Sequence, residues 1–571
     1  MKTLIKLALV CSIACLFLTV GQVAEAESEP ATTYDGMPDG AQPYAEFVSL
    51  WEEFRYWRDP KSAAKEKSLV DVAGLETDVY PDYGAKAMAT RLRELRAFQD
   101  GLNNFAVVDW PLRQQVEFLA VRAKMDEEEF TLRVSKPWSR DPGFYVDRML
   151  RLTFTELPVE GEALVELTRQ LDAIPGLVEQ GKMNLVEVAA DYADLAIFNL
   201  SNSDGVGHGF PYRAEPPAGV LGWYDDLLER ARAQQPELVA RIETSKEAVQ
   251  SFQDWLVSNR PAMTASAGVG REAFDWYLKH VKLMSYTSDE IVTLGQRELD
   301  RLWALYALER HRNRNLPEIE ISASAAEYQS RIDATDDAIR RFLVEEEIIT
   351  IPAYINELST NVPWIVREGG PNFWEQIQFR DPTPDHLHAV IPGHRFDAVV
   401  ERNNPHPVRG RLTDGARVEG WGVYLEEAIM NAGLLDDKPR VRELIYLFGI
   451  FRAARMPADV WLQLNEMTAE EVADYWIEHV PYLDRDVARV DAEIYLRRPP
   501  GYGLGYTTGM LQMQALLAER KRQLGDDFSL REFHDELMAA GRLPLSLIHW
   551  EMTGNDHGIA ALWAREPLRL E

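Results

Sequence analysis

Cysteine is nearly absent. The chain has 571 residues and only two cysteines, Cys11 and Cys15, and both fall in one apolar run near the N-terminus. Beyond residue 15 there is none. That excludes a disulfide framework, a thiol nucleophile and any cysteine metal site, so a bound metal would have to be held by histidine, aspartate or glutamate. Positive charge is also scarce: 61 Lys and Arg stand against 92 Asp and Glu, a net charge of −31. A surface this acidic repels nucleic acid and anionic lipid. Its plain consequence is solubility, and its more specific one is a preference for cationic substrates. There is no low-complexity segment and no exact internal repeat, which leaves an ordinary globular composition of 46% hydrophobic and 27% charged residues.

A long apolar run is missing too. The stretch from Leu7 to Val20 is shorter than the roughly 20 residues that span a bilayer. Lys2 and Lys6 precede it, and Ala24-Glu25-Ala26 follows as a small-x-small cleavage signal. This pattern predicts a secretory signal peptide over residues 1–26, a mature chain beginning near Glu27, and a periplasmic or extracellular location with no stable membrane span. Residues 27–42 read as a flexible leader.

From there the apolar period is helical. Leu92, Leu95, Phe98 and Leu102 recur at three- to four-residue spacing within 86–103, and Val116, Leu119 and Val121 within 110–134. Residues 221–257 read as two amphipathic helices, with Pro236 near the start of the second. Thr287-Ser288-Asp289-Glu290 caps a helix over 286–312. The acidic runs Asp126–Glu129 and Glu345–Glu347 read as solvated helix faces. The best strand signal is Ile348–Ile351, ahead of a loop-rich stretch from Thr360 to Pro384. The expectation is a mainly α protein with a deep central cleft and at most a small β-sheet near 345–380. Residues 43–571 form one unit, with an N-terminal helical lobe over about 43–345 and a motif-bearing lobe over about 346–571.

Four of the eleven histidines, His386, His388, His394 and His406, fall within twenty-one residues. His388 and His394 bracket Pro392-Gly393, and Glu419 follows twenty-five residues after His394. Two imidazoles and a carboxylate, with one position left for water, form a usual catalytic zinc site. A spacing of six turns two residues roughly 240° apart on a straight helix, so the chain must bend at Pro392-Gly393 if both rings are to reach one metal. The alternative is that the three residues are unrelated. Glu419 is expected to open a helix running to Met430, with Glu426 one repeat later on the same face. The Gly- and Tyr-rich segment Pro499–Met510 suits either a substrate-lining turn or a packed helix start.

The ordered set Pro392–His394, Glu419–Tyr424, Pro500–Gly509, Phe533–Asp535 and Leu543–Leu545 resembles the bacterial proteins called domain of unknown function 885. Ile174–Leu177 with Asn184-Leu185, and Gly270–Phe274, carry the likeness upstream. The resemblance implies a helical, gluzincin-like zinc peptidase. Its usual motif is His-Glu-x-x-Pro-Gly-His-His, which places metal ligands at His388, His394 and Glu419 and a catalytic tyrosine at Tyr506. This chain departs from that motif twice: Ala389 stands where the general-base glutamate belongs, and Arg395 replaces the second closing histidine. His386 is the candidate substitute base. The expected function is therefore an exported hydrolase of peptides or related amides. The alternatives are a catalytically silent descendant that binds peptides or small molecules in the same cleft, and a helical scaffold with no small ligand.

Overall fold

The computed structural model describes residues 41–60, 80–203, 213, 215–356, 358–359 and 362–569. The predicted signal and most of the leader lie outside them. Among the described residues every regular element is a helix, and the extended contacts reduce to one isolated bridge between Ala189 and Ala265. The fold class read from the sequence is therefore what the chain adopts.

The helices read from periodicity lie within a few residues of observed ones, though these are a minority of the elements. The observed helices include Ala85–Asn103 and Leu112–Phe130, followed by Gly219–Gln234 and Val239–Asn259 on either side of a short turn at Pro236–Leu238. The helices that frame the site and the main cavity are α1 (Gly143–Arg151), α2 (Ala190–Ser201), α3 (Gly219–Gln234), α4 (Ser288–Arg312), α5 (Ala325–Glu345), α6 (His394–Arg402), α7 (Gly415–Ile429), α8 (Pro439–Gln463), α9 (Arg485–Arg497), α10 (Gly505–Leu524) and α11 (Leu530–Ala539). Their starts are chemically marked. Thr287 and Glu290 form the expected capping box on α4. Asp414 accepts the Arg417 N–H at 2.9 Å at the start of α7, and Asp484 accepts that of Val487 at 3.0 Å at α9.

Two helix pairs carry the centre of the molecule: α4 lies along α8, and α7 along α10. The second pair meets through small residues. A methyl group on Gly420 would stand 2.5 Å from the Gly509 Cα, and one on Gly509 would stand 2.2 Å from the Ala416 carbonyl oxygen. Backbone therefore touches backbone along this seam, which brings Glu419 on α7 close to Tyr506 on α10.

Three sequence expectations are corrected. The segment Ile348–Ile351 is not a strand: His534 Nδ1 meets the Ile348 carbonyl at 2.7 Å, and Asp535 accepts the Thr350 N–H at 3.0 Å and its hydroxyl at 2.6 Å. With its polar groups bonded to α11, and Ile348 and Ile349 buried, the segment has no need of a sheet partner. Glu419 does not open its helix, because α7 begins one turn earlier at Gly415. The Asp126–Glu129 run is not a solvated face: Asp126 and Glu129 are buried and paired with Arg565 at 2.7 and 3.3 Å. Glu345–Glu347 is exposed, as expected.

Candidate metal centre

His388 and His394 come from two separate short helices rather than one straight one. Residues His386–Val390 form a single π-turn, closed by the Ile391 N–H donating to the His386 carbonyl at 3.0 Å. Such turns recur at functional sites. The chain then extends through Ile391, bends at Pro392-Gly393, and restarts as α6 at His394. Trp421 on α7 holds the bend by donating its indole N–H to the Pro392 carbonyl at 2.8 Å. This geometry turns the two rings toward each other, with centroids 4.5 Å apart and planes at 79°.

The donor atoms converge. His388 Nε2 and His394 Nε2 are 3.0 Å apart, His394 Nε2 and Glu419 Oε2 3.2 Å, and His388 Nε2 and Glu419 Oε2 3.7 Å. Among the described residues this is the one group of three or more potential ligands so arranged, and all three are buried. A tetrahedral ion with bonds of roughly 2.0–2.1 Å to nitrogen and oxygen needs ligand atoms about 3.3 Å apart. The three measured separations bracket that edge length, and the donor set of two imidazoles and one carboxylate is that of a zinc site with open positions. The residues present therefore fit the ion.

Electrostatics agree with a centre that wants positive charge. Burial works to raise the Glu419 carboxyl, but His394 and His388 hold it far below the usual carboxylate range. Burial and the Arg452 charge work against protonation of His388, yet Glu419 and Glu426 keep its imidazole above the ordinary range. Burial lowers His394. Three donors in this arrangement could hold either a proton or a metal cation between them.

The groups around the triad are ordered. Glu426, two turns beyond Glu419 on α7, places Oε1 2.8 Å from His388 Nδ1. Arg452 on α8 donates to Glu426 Oε2 at 2.5 Å and comes within 3.3 Å of the same Nδ1. Both outer groups address Nδ1, on the far side of the ring from the centre, so that Nε2 is the ring nitrogen that faces Glu419 and His394, and outer partners of this kind are common behind metal-bound histidine. Tyr502 donates its hydroxyl to Glu419 Oε1 at 3.0 Å and lies 3.2 Å from the Tyr506 hydroxyl. The Tyr506 ring is parallel to His388 at 6.4 Å. Burial, with Glu419 beside them, pushes both phenols well above the usual range, so they serve as hydrogen-bond donors rather than bases. The turn that presents them is held by Asp459 on α8, which accepts the Leu504 N–H at 3.0 Å. Burial pushes the Asp459 carboxyl up to about 7 against the pull of those turn N–H groups.

Of the residues singled out from the sequence, His388, His394 and Glu419 are brought together, with Tyr506 adjoining. His386 is not. Its Nε2 is bonded to Asp336 of α5 at 2.8 Å, and it stands outside the triad. His406 lies elsewhere, with Nε2 3.4 Å from Glu117. Ala389 is buried, and its carbonyl faces the Arg395 guanidinium at 3.4 Å. Among the described residues, the other groups in hydrogen-bonding or ion-pair reach of the triad are Glu426, Arg452 and Tyr502. Sequence reading missed Arg452, Tyr502 and Asp459. Tyr502 had a signal, since it stands in the same Gly- and Tyr-rich segment as Tyr506, four residues before it; Arg452 and Asp459 had none.

The motif Phe533–Asp535 proves structural. Tyr424 bonds His534 at 2.9 Å, and His534 and Asp535 tie down residues 348–350.

Comparison with known proteins bears on the fold and on this region. Residues 386–552, which contain the whole site, match the family described as bacterial protein of unknown function (DUF885). The chain also superposes on two solved structures. One is a protein from Shewanella oneidensis described as a candidate lipoprotein of unknown function, and the other a candidate lipoprotein from Colwellia psychrerythraea. Each has a TM-score of 0.67 at 16% identity over 89% of this chain, covering 99% and 98% of the respective relative. At that identity the likeness is one of fold. No curated protein matches the chain.

Proposed function

We infer that this is an exported, zinc-holding protein of peptidase-like build, whose site binds peptide-like carbonyl compounds and hydrolyses them slowly if at all. The observation that carries this reading is the buried triad, with its three donor separations of 3.0, 3.2 and 3.7 Å. Zinc at that position would polarise a ligand carbonyl and acidify water. The chain's own residues supply the rest. Glu426 and Arg452 hold the outer side of the His388 ring, Tyr502 holds Glu419 in orientation, and the buried tyrosine hydroxyls donate hydrogen bonds to a ligand oxyanion. Among the described residues, the site's surroundings offer no proton acceptor. Ala389 offers a methyl group, His386 is bonded to Asp336, and Glu426 lies behind the His388 ring, engaged with Arg452. A general base is commonly worth roughly 10²–10⁴ in rate, so binding outlasts turnover.

Export is supported by the signal pattern in residues 1–26 and by the description of both structural relatives as candidate lipoproteins. Among the described residues no helix is long and apolar enough to cross a membrane.

A second reading, a working hydrolase, is favoured by the Tyr502–Tyr506 pair at Glu419, which is well placed to donate hydrogen bonds during acyl transfer. One set of measurements separates the two: elemental analysis of the purified mature protein, with peptide binding and peptide hydrolysis followed side by side. The first reading requires about one equivalent of zinc, lost in His394→Ala, together with peptide binding that outlasts hydrolysis. Rapid hydrolysis that disappears in His394→Ala establishes the second. Protein free of metal at every zinc concentration removes both.

A further inference from the structure

A cavity of about 690 Å³ opens between α1, α2, α3 and α9 and ends against the segment Arg498–Pro500. Its volume is that of an ordinary ligand pocket. Phe144, Phe154, Val220, Trp223, Val490 and Ile494 give it a broad apolar wall, with the Trp223 ring set edge-on to Phe154 at 4.9 Å. The wall also holds four arginines and three carboxylates, so neither sign of charge is in marked excess. These polar groups are engaged within the protein. Arg497 donates to Asp141 at 2.9 Å, to Asp147 at 2.7 Å and to Glu493 at 2.9 Å. Arg140 donates to the Ser266 carbonyl, Asn199 to Glu493 at 2.6 Å, and the Tyr192 hydroxyl to the Leu496 carbonyl at 2.9 Å.

We propose that this cavity is the side-chain pocket of the ligand site, and that it takes a large uncharged apolar side chain, such as that of phenylalanine, from a peptide whose carbonyl lies at the triad. The proposal rests on the peptide-type ligand of the preceding reading and narrows it to peptides with a bulky apolar residue near that carbonyl.

Desolvation decides the class. A charged ligand group would leave water for a wall whose ions already pair with one another, and that exchange is costly. An apolar group gives up no hydrogen bond and covers aromatic and aliphatic surface that otherwise faces water. Burying one large side chain in this way raises affinity roughly 10–100-fold. Distance decides the connection. Arg498 lines the cavity and lies 5.1 Å over the Tyr502 ring, and the hydroxyl of that same ring donates to Glu419 at 3.0 Å. One guanidinium and one partly buried phenol therefore separate the cavity from the triad. About three residues of extended chain span such a gap, so a ligand held at the triad reaches the cavity with a neighbouring side chain.

The test is calorimetric titration of the full mature protein, as isolated. The probes are acetyl-penta-alanine amide and its analogues in which one alanine, at each position in turn, is replaced by phenylalanine, lysine or glutamate. Phenylalanine at one position, or at two adjacent ones, should raise affinity roughly 10–100-fold over the alanine parent. Lysine or glutamate at the same position should give no gain. Val220→Trp and Ile494→Trp narrow the cavity away from the triad. Each should remove most of the phenylalanine gain and leave zinc content and binding of the alanine parent unchanged. Localisation needs no mutation. The best probe, with benzoylphenylalanine in place of its phenylalanine, should on irradiation label wild type within residues 143–154, 219–223 or 490–500, read by mass spectrometry of the digested protein. Label elsewhere overturns the proposal. So do equal affinities of alanine and phenylalanine probes at every position, an equal gain from lysine or glutamate, no binding by any probe, or an undiminished gain in both variants. Because photolabelling uses wild type, a misfolded variant cannot decide the outcome. Failure here is distinguishable from failure of the preceding reading, which stands or falls on zinc content alone.

Discussion

Gly422 lies so close beneath the His388 imidazole that a methyl group on its Cα would stand 2.4 Å from Nδ1. The ring of the first ligand is thus seated on α7 in a place only hydrogen can leave free. Gly422→Ala should displace His388 from the centre and lower zinc content well below one equivalent. Overpacking of this kind costs about 1–3 kcal/mol, so the melting temperature should fall as well. Elemental analysis with calorimetry checks both; a variant with full zinc content and wild-type melting would show that the ring can shift freely.

Glu426 should act on zinc affinity more than on the fold. Its Oε1 faces His388 Nδ1 at 2.8 Å while Arg452 binds the other oxygen. Glu426→Gln keeps the volume and removes the negative charge that faces Nδ1. Loss of such an outer partner commonly costs roughly 10–100-fold in metal affinity. Chelator competition on wild type and variant, with circular dichroism as the check on folding, measures it.

Ala389→Glu should gain hydrolysis. The residue follows a ligand on a π-turn, and a carboxylate there would supply the proton acceptor that the described surroundings of the triad lack. An increase on the order of 10²-fold over wild type is expected on a mixed peptide library, with His386→Ala leaving wild type unchanged. Vigorous wild-type turnover that falls in Ala389→Glu would count against the assigned roles.

Stability should respond to pH through Glu401 on α6. Burial pushes its carboxyl up to about 7, Asp397 adding to the rise and Arg542 and Arg417 opposing it. In the unfolded chain the group titrates near its ordinary value, about 4.3. Between those values the folded state keeps a proton that the unfolded state has released, so raising the pH from about 4.5 to 7 costs stability. Glu401→Gln removes that titration, and its advantage over wild type should grow by on the order of 2 kcal/mol between pH 4.5 and pH 8. Denaturant melts at the two pH values give the difference directly; a constant gap would place the group in the ordinary carboxylate range.

Much of the fold was legible because burial imposes a period. The helices at 85–103, 219–259 and 288–312 repeat apolar residues every three or four positions, and Thr287 marks a start chemically. The triad was legible for another reason: histidine and glutamate are few chemical types, and their order with Pro392-Gly393 limits what they can do. The segment Ile348–Ile351 misled because a β-branched run signals burial without saying which partner takes its backbone, and here that partner is α11, some 180 residues on. Asp126 misled likewise, since its buried partner Arg565 lies near the other end of the chain. His386 was ambiguous because sequence gives spacing but not the direction of a ring, and Asp336 determines that direction. Arg452 and Asp459 carry no local pattern; contacts between distant helices alone give them their roles.

The seam of Ala416, Gly420 and Gly509 between α7 and α10 has a consequence for how this protein can diverge. Where two backbones touch, no side chains are left to repack, so added mass can only push the helices apart and carry Glu419 away from the tyrosines. Substitutions on the outer faces of the same helices leave that spacing alone. A lineage can therefore exchange Ala389 and Arg395, changing what the site does, while the distance between its two main supports stays as it was.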